Sequence, residues 1–125
     1  LFTDEANIWK TCGSVKNSAG NLALHLAGGL NFLIGTQLGG TGYVRNRDAE
    51  FSAKGISRET LLNELRDVRM MIGKTLNVLP SSELNNVYPI FFDKDGATKG
   101  YVLMQLLLHL NYHLGQMNYL RRSLE

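Results

Sequence analysis

His109 and His113 stand four residues apart near the end of the chain. Residues at that spacing on an α-helix are separated by about 40° around the axis and about 6 Å along it, so both imidazoles lean from one face. That face is otherwise apolar, and its further members are Val102, Leu106, Leu110, Leu114, Met117 and Leu120. The spacing therefore predicts two neighbouring imidazoles that point toward the core.

The third histidine of the chain, His25, lies in a separate apolar stretch of helical periodicity. A single imidazole on such a face is most simply a neutral core residue whose polar atoms are satisfied by its neighbours. Three inward histidines from two helices favour a metal site instead, because a divalent ion takes the acceptor nitrogen of each ring. Three nitrogen ligands suit zinc or nickel, and they leave a position open for water or substrate.

Residues close to the histidines allow two interpretations each. Gln116 lies on the side of His113, where its amide could bond a metal-bound water or substrate, or simply a neighbouring helix. Gly115 would let a ligand approach, or it reflects tight packing. Gly28 and Gly29 lie inside a predicted helix, where each costs about 1 kcal/mol relative to alanine, so we expect another helix to approach closely there.

A charged cluster in the middle of the chain is either a solvated, salt-bridged loop or a substrate-binding lid over the open metal position. The cluster consists of Arg45, Arg47, Asp48 and Glu50. The sequence singles out no general base among the four acidic residues that are candidates for that role. These candidates are Asp48, Glu50, Glu64 and Asp67.

Cys12 is the single cysteine, which excludes an intramolecular disulfide and favours a reducing compartment, so we expect a cytoplasmic protein. No histidine adjoins it in sequence, which argues against a cysteine nucleophile. Lysine and arginine are scattered and the net charge is +2, so we expect no nucleic-acid partner. Residues 17–44 carry no charge but include many polar residues and glycines, which predicts a buried helix and no membrane partner.

The apolar periodicity predicts helices over about 18–38, 58–79 and 98–123, joined by long connections at 41–56 and 81–96. Residues 1–16 are predicted to form a short helical turn or an irregular segment. Residues 87–92 are predicted to form an extended piece that covers a bundle end. With 125 residues, of which 44% are hydrophobic, the chain is expected to form one domain over 1–125. The fold class is all-α, an antiparallel helical bundle.

Three motifs together resemble the DinB-like superfamily of metal-binding four-helix bundles. They are Leu24-His25-Leu26-Ala27-Gly28, the pattern His109-x-x-x-His113-x-Gly115-Gln116, and Leu120-Arg121-Arg122. The stretch from Gly39 to Asp48, followed by Glu50-Phe51, looks like one uncharacterised branch of that superfamily. The resemblance covers about 17–125, and it implies that His25, His109 and His113 hold zinc or nickel.

The resemblance also implies a function. Relatives include enzymes that transfer or isomerise with low-molecular-weight thiols such as mycothiol and bacillithiol, and others described as metal-dependent hydrolases. We therefore expect a thiol-dependent S-transferase or a hydrolase that acts on a small-molecule substrate. The alternative is a non-catalytic stress-response or binding module in which the histidines hold a structural or vestigial metal.

One departure from the superfamily concerns the beginning of the chain. Members normally start with a further long helix, and this sequence has none before Asp4. Three helices alone would leave a broad apolar face open to water. We expect either an N-terminally incomplete bundle that lacks the first helix or a homodimer in which a second copy covers the gap.

Overall fold

In the computed structural model, which describes residues 2–125, the chain is all-α, as predicted. Leu1 lies outside the described residues. The helices are α1 (Ala19–Leu30), α2 (Gln37–Gly39), α3 (Arg47–Ser52), α4 (Arg58–Val78) and α5 (Lys99–Leu124). A π-helical segment, Asn31–Thr36, joins α1 to α2, and short 3₁₀ helices cover Glu5–Trp9 and Ser81–Asn85. The described residues form isolated β-bridges but no β-strand.

Side-chain caps fix where the long helices begin. Ser18, Ser57 and Thr98 each precede a helix, and each hydroxyl accepts a hydrogen bond from the backbone N–H three residues later. Such a cap satisfies an N–H that the helix itself cannot pair, which stabilises the helix by about 1 kcal/mol. The predicted helix boundaries at 18–38, 58–79 and 98–123 are therefore confirmed to within a residue or two.

Helix α1 is the central element, and every residue from Ala19 to Gly29 is buried. It packs against α4 and α5, which make little contact with each other among the described residues. This burial explains why residues 19–29 carry no charge, but it does not extend to the end of the uncharged stretch over 17–44, because residues 39–42 and Val44 are exposed. Within residues 2–125, no helix combines the length and hydrophobicity that crossing a bilayer requires.

Helix α5 runs antiparallel to α1. Leu22 near the start of α1 packs with Leu120 near the end of α5, whereas Ile34 packs with Val102 near its start. His25 lies between these two levels on α1, and His109 and His113 lie between them on α5. The antiparallel packing therefore brings the two histidine-bearing segments opposite each other.

Helix α4 runs parallel to α1, because Leu24 packs with Leu61 and a side chain at Gly35 would contact Met71. The chain must therefore return along α1 before α4 begins. The predicted connection over 41–56 makes this return, and it contains α3, a six-residue helix that the sequence pattern did not reveal. Asn46 caps α3 by accepting a hydrogen bond from the Ala49 N–H.

The connection after α4 covers one end of the helices, as expected for 87–92. Tyr88 is 2% exposed and packs among Ile34, Val102 and Leu106. Its hydroxyl donates a 2.6 Å hydrogen bond to the carbonyl of Leu33 in the π-helical segment. This contact attaches the connection to the central helix.

The prediction that one apolar stripe of α5 is buried is wrong at two residues. Leu114 is 57% exposed, and His109 is also exposed. Val102, Leu106 and Leu120 are buried as predicted. The error arises because α5 is apolar around most of its circumference, so hydrophobicity alone cannot locate the edges of the buried stripe. Its outer face also carries exposed apolar side chains, namely Met104, Leu107, Leu108, Tyr112 and Tyr119.

Candidate metal centre

The three histidines predicted from the sequence come together between α1 and α5. The Nε2 atom of His109 lies 3.1 Å from Nε2 of His25 and 3.1 Å from Nε2 of His113. One ligand atom from each ring lies within 4.8 Å of the others. His25 is buried, His113 is half-buried and His109 is exposed, so the cluster reaches from the core to the surface.

The donor set fits a divalent ion. The Nδ1 atoms of His25 and His113 each lie within hydrogen-bond distance of a side-chain oxygen, so with the protons on Nδ1 the Nε2 lone pairs of both rings are directed at His109. Three imidazole nitrogens this close would repel one another unless a cation or a shared proton lay between them. Two nitrogen ligands of a tetrahedral zinc ion lie about 3.3 to 3.4 Å apart, close to the separations found here.

Glu50 lies behind His25. Its Oε2 atom is 3.1 Å from Nδ1 of His25, and its side chain is 6% exposed. Arg45 donates to both carboxylate oxygens, from Nε at 2.7 Å and from Nη2 at 2.8 Å. Nη2 of Arg45 also lies 3.2 Å from Nδ1 of His25. In the tautomer of His25 that carries its proton on Nδ1, the Glu50 carboxylate accepts that proton and Nε2 is free to bind a metal.

Two features of the fold position this carboxylate. Asn21 of α1 donates its amide to the carbonyls of Glu50 and Ala53, at 3.1 and 2.9 Å, which attaches α3 to α1. A Cβ built on Gly28 would collide with the Glu50 carboxylate and would lie 2.9 Å from its Cδ. The close approach of another helix predicted at Gly28 is therefore made by the short helix α3, through the side chain of Glu50.

Gln116 lies behind His113 on α5. Its Oε1 atom is 2.6 Å from Nδ1 of His113, and its Nε2 donates to the hydroxyl of Tyr112 at 3.3 Å. The amide thus orients one of the three imidazoles, whereas the sequence predicted a bond to a metal-bound water, a substrate or a neighbouring helix. Gly115 has open space around the position of a Cβ, so among the described residues nothing packs tightly there.

The surroundings of His25 and His109 lower the pKa of both imidazoles and so favour their neutral form. Burial lowers the pKa of His25, and the nearby Arg45 lowers it further, although the hydrogen bond to Glu50 opposes both effects. Burial also lowers the pKa of His109, with additional contributions from the charges that His113 and His25 would carry. A neutral imidazole is the form that binds metals, so both rings are ready to act as ligands at neutral pH.

A cavity of about 500 Å³ opens beside His25 and His109. Its wall is largely apolar and consists of Leu26, Gly29, Leu30, Leu33, Phe92 and Leu106, whereas its polar lining comes from Arg45, Arg47, Asp93 and Gln105. A second cavity, of about 570 Å³, borders His113 and Gln116 and includes the exposed Cys12. The cluster is therefore accessible to small molecules from two sides.

The four residues of the charged cluster predicted between 45 and 50 differ in their surroundings. Glu50 is buried and Arg45 is half-buried, so these two residues do not form a solvated loop. Arg47 borders the cavity beside His25, as a substrate-binding segment would. Asp48 is exposed on α3.

The remaining acidic candidates lie elsewhere. Glu64 is half-buried on α4, and burial together with the charge of Glu50 raises its pKa. Asp67 lines a separate cavity of about 480 Å³. The carboxylate that does line the cavity beside His25 is Asp93, which sequence reasoning missed because it comes from a distant connection. Gln105 was also missed, although its position one turn before His109 could have indicated it.

Comparison with known proteins identifies a family but no close relative. Neither the curated proteins nor the solved structures include a significant match. A family model described as "Protein of unknown function (DUF1572)" matches residues 2–125, which include all five helices and all three histidines. Since the match extends over nearly the whole sequence, the chain belongs to the DUF1572 family.

Proposed function

We propose that this chain is a metal-dependent enzyme in which His25, His109 and His113 bind zinc or nickel. The observation that carries the proposal is the convergence of three imidazole Nε2 atoms, from two helices, at the edge of a cavity. When bound, such an ion supplies Lewis-acid chemistry that activates water or a thiol. The reaction classes proposed are thiol-dependent S-transfer and hydrolysis.

The side chains around the histidines support this role by what they hold in place. Glu50 accepts the Nδ1 proton of His25, and Gln116 accepts that of His113, so two of the three rings have a fixed orientation. Arg45 forms a salt bridge with Glu50 that compensates the charge of this buried carboxylate. The neighbouring cavity offers apolar side chains for the body of a bound substrate.

An enzyme is favoured over a non-catalytic module by the surroundings of the cluster. Structural metal sites are usually closed by a fourth protein ligand, whereas catalytic sites keep a position open. Among the residues that the structure describes, no cysteine, aspartate or glutamate joins the three histidines as a fourth ligand. The cavities on both sides give a substrate access to the open position.

The DinB-like assignment is part of the same proposal. It is supported by the order of the ligands, with His25 on the central helix and the pair on the last helix. A low-molecular-weight thiol as cofactor follows from the resemblance, a cytoplasmic location from the single cysteine, and a homodimer from the apolar face that three helices would leave open. All three stay predictions.

Elemental analysis tests the proposed centre. After reconstitution with zinc or nickel and removal of excess metal, the untagged wild-type chain should retain one ion. His109→Ala should lose most of it, since two imidazoles bind far more weakly than three. Asn111→Ala, an exposed change on the same helix, should retain the wild-type content. A wild-type chain without stoichiometric metal, or a His109→Ala variant that binds like wild type, would contradict the proposal.

Replacing the carboxylate behind His25 tests its orienting role. Glu50→Gln keeps the size of the side chain but removes its charge, so we expect zinc affinity to fall about 10- to 100-fold. The affinity is measured by competition with a chromophoric chelator, and circular dichroism checks that the variant is folded. Glu59→Gln, an exposed change on α4, is the matched control. A folded Glu50→Gln chain with wild-type affinity would show that the carboxylate does not orient the ligand.

Gly28 offers a test that leaves every polar side chain intact. Gly28→Ala should push Glu50 away from His25 and lower zinc affinity at least about fivefold, although alanine favours a helix by about 1 kcal/mol. Gly73→Ala on α4 is the control, because a Cβ there meets no other atom within 4 Å. It should stabilise the chain to urea and leave zinc affinity unchanged. The account fails if both variants bind zinc equally well.

A further inference from the structure

We propose that the cavity beside His25 and His109 binds a small organic acid, with an apolar body along the leucine wall and a single carboxylate on Arg47. This inference rests on the proposed function, because it takes the histidine cluster as the reacting end of the cavity. It adds the chemical class of the substrate and a residue that selects it.

The two arginines of the cavity have different surroundings. Arg45 is paired with both oxygens of Glu50, so its charge is compensated within the protein. Arg47 is exposed and forms no salt bridge with any other residue that the structure describes. It is therefore the cavity's available cation, and a guanidinium matches the planar geometry of a carboxylate.

The position of Arg47 relative to the histidines is set by Phe51. The Arg47 guanidinium carbon lies 5.8 Å from the centroid of the Phe51 ring, and that ring lies 5.0 Å from the His25 ring. Stacking on an aromatic face leaves the N–H groups at the edge of the guanidinium available to an anion. One aromatic ring thus separates the anion-binding group from the metal-binding group.

The rest of the lining favours a short apolar body. Leu26, Leu30, Leu33 and Leu106 line the cavity, together with Phe92 from the connection that covers the end of the helices. The volume of about 500 Å³ is within the usual range for small-molecule sites. A substrate that spans this lining would reach the histidines with one end and Arg47 with the other.

The remaining charge in the cavity favours one negative charge on the ligand. Asp93 also lines the cavity, and its carboxylate accepts a hydrogen bond from the Tyr101 hydroxyl. A dianionic group such as a phosphate would meet this carboxylate as well as the single available guanidinium. A carboxylate carries only one charge and is repelled less.

The test uses ω-mercaptoalkanoic acids of increasing chain length together with their matched amides. The probes bind to the full chain loaded with cobalt or nickel, where a thiolate on the metal produces a charge-transfer absorption band. Calorimetry measures the affinity of each probe, whether or not the band appears. At the chain length that spans the cavity, the acid should bind about tenfold more tightly than the amide. Arg47→Gln should abolish this preference, and Arg69→Gln, an exposed change on α4, should retain it.

The outcomes separate this inference from the proposed function. Equal affinity of acid and amide at every length, or a preference that survives in Arg47→Gln, would overturn the inference. Tighter binding of an ω-mercaptoalkylphosphonate than of the acid of equal length would also overturn it. If stoichiometric metal gives no charge-transfer band with any thiol, thiol-dependent S-transfer is contradicted, while the calorimetric comparison still decides the role of Arg47. A wild-type chain that holds no stoichiometric metal would overturn the proposed function as a whole.

Discussion

The structure around the candidate metal centre depends on the contact between the Glu50 carboxylate and helix α1. A buried charge costs several kcal/mol unless it is paired. Here Arg45 forms a salt bridge with the carboxylate, and His25 lies within hydrogen-bond distance of it. Gly28 is the position that admits this carboxylate, since a side chain there would occupy the same space. Asn21 fixes the backbone of α3 at the same level. The connection that returns along α1 thereby becomes part of the site.

Helix packing supplies the rest of the geometry. His109 and His113 are one turn apart on α5, so their spacing is set by the helix itself. His25 reaches them because α5 runs antiparallel to α1, with apolar contacts on either side of this level. The half-buried location explains how one cluster combines neutral imidazoles with access from two cavities. Helices α1 and α5 hold the histidines, and the connections add Arg45, Phe92 and Asp93 to the lining of the cavity.

Much of this arrangement could be predicted from local sequence signals. Caps such as Ser18 and Ser57 mark helix starts, and the spacing of His109 and His113 depends on only one turn of helix. Helix α3 was missed because six residues are too few to show a period. The exposure of Leu114 was missed because α5 is apolar on both sides. Asp93 could not be assigned to the cavity, since its place depends on long-range packing that local patterns do not encode.

The central claim is that three histidines, and no fourth side chain, hold a divalent ion. X-ray absorption spectroscopy of the zinc-loaded chain tests this claim most directly, because it reports the atoms bound to the metal. The account predicts three imidazole nitrogens at about 2.0 to 2.1 Å, with the remaining coordination supplied by exchangeable light atoms from solvent. A sulfur ligand from Cys12, a fourth imidazole from another chain, or fewer than three imidazoles would contradict it.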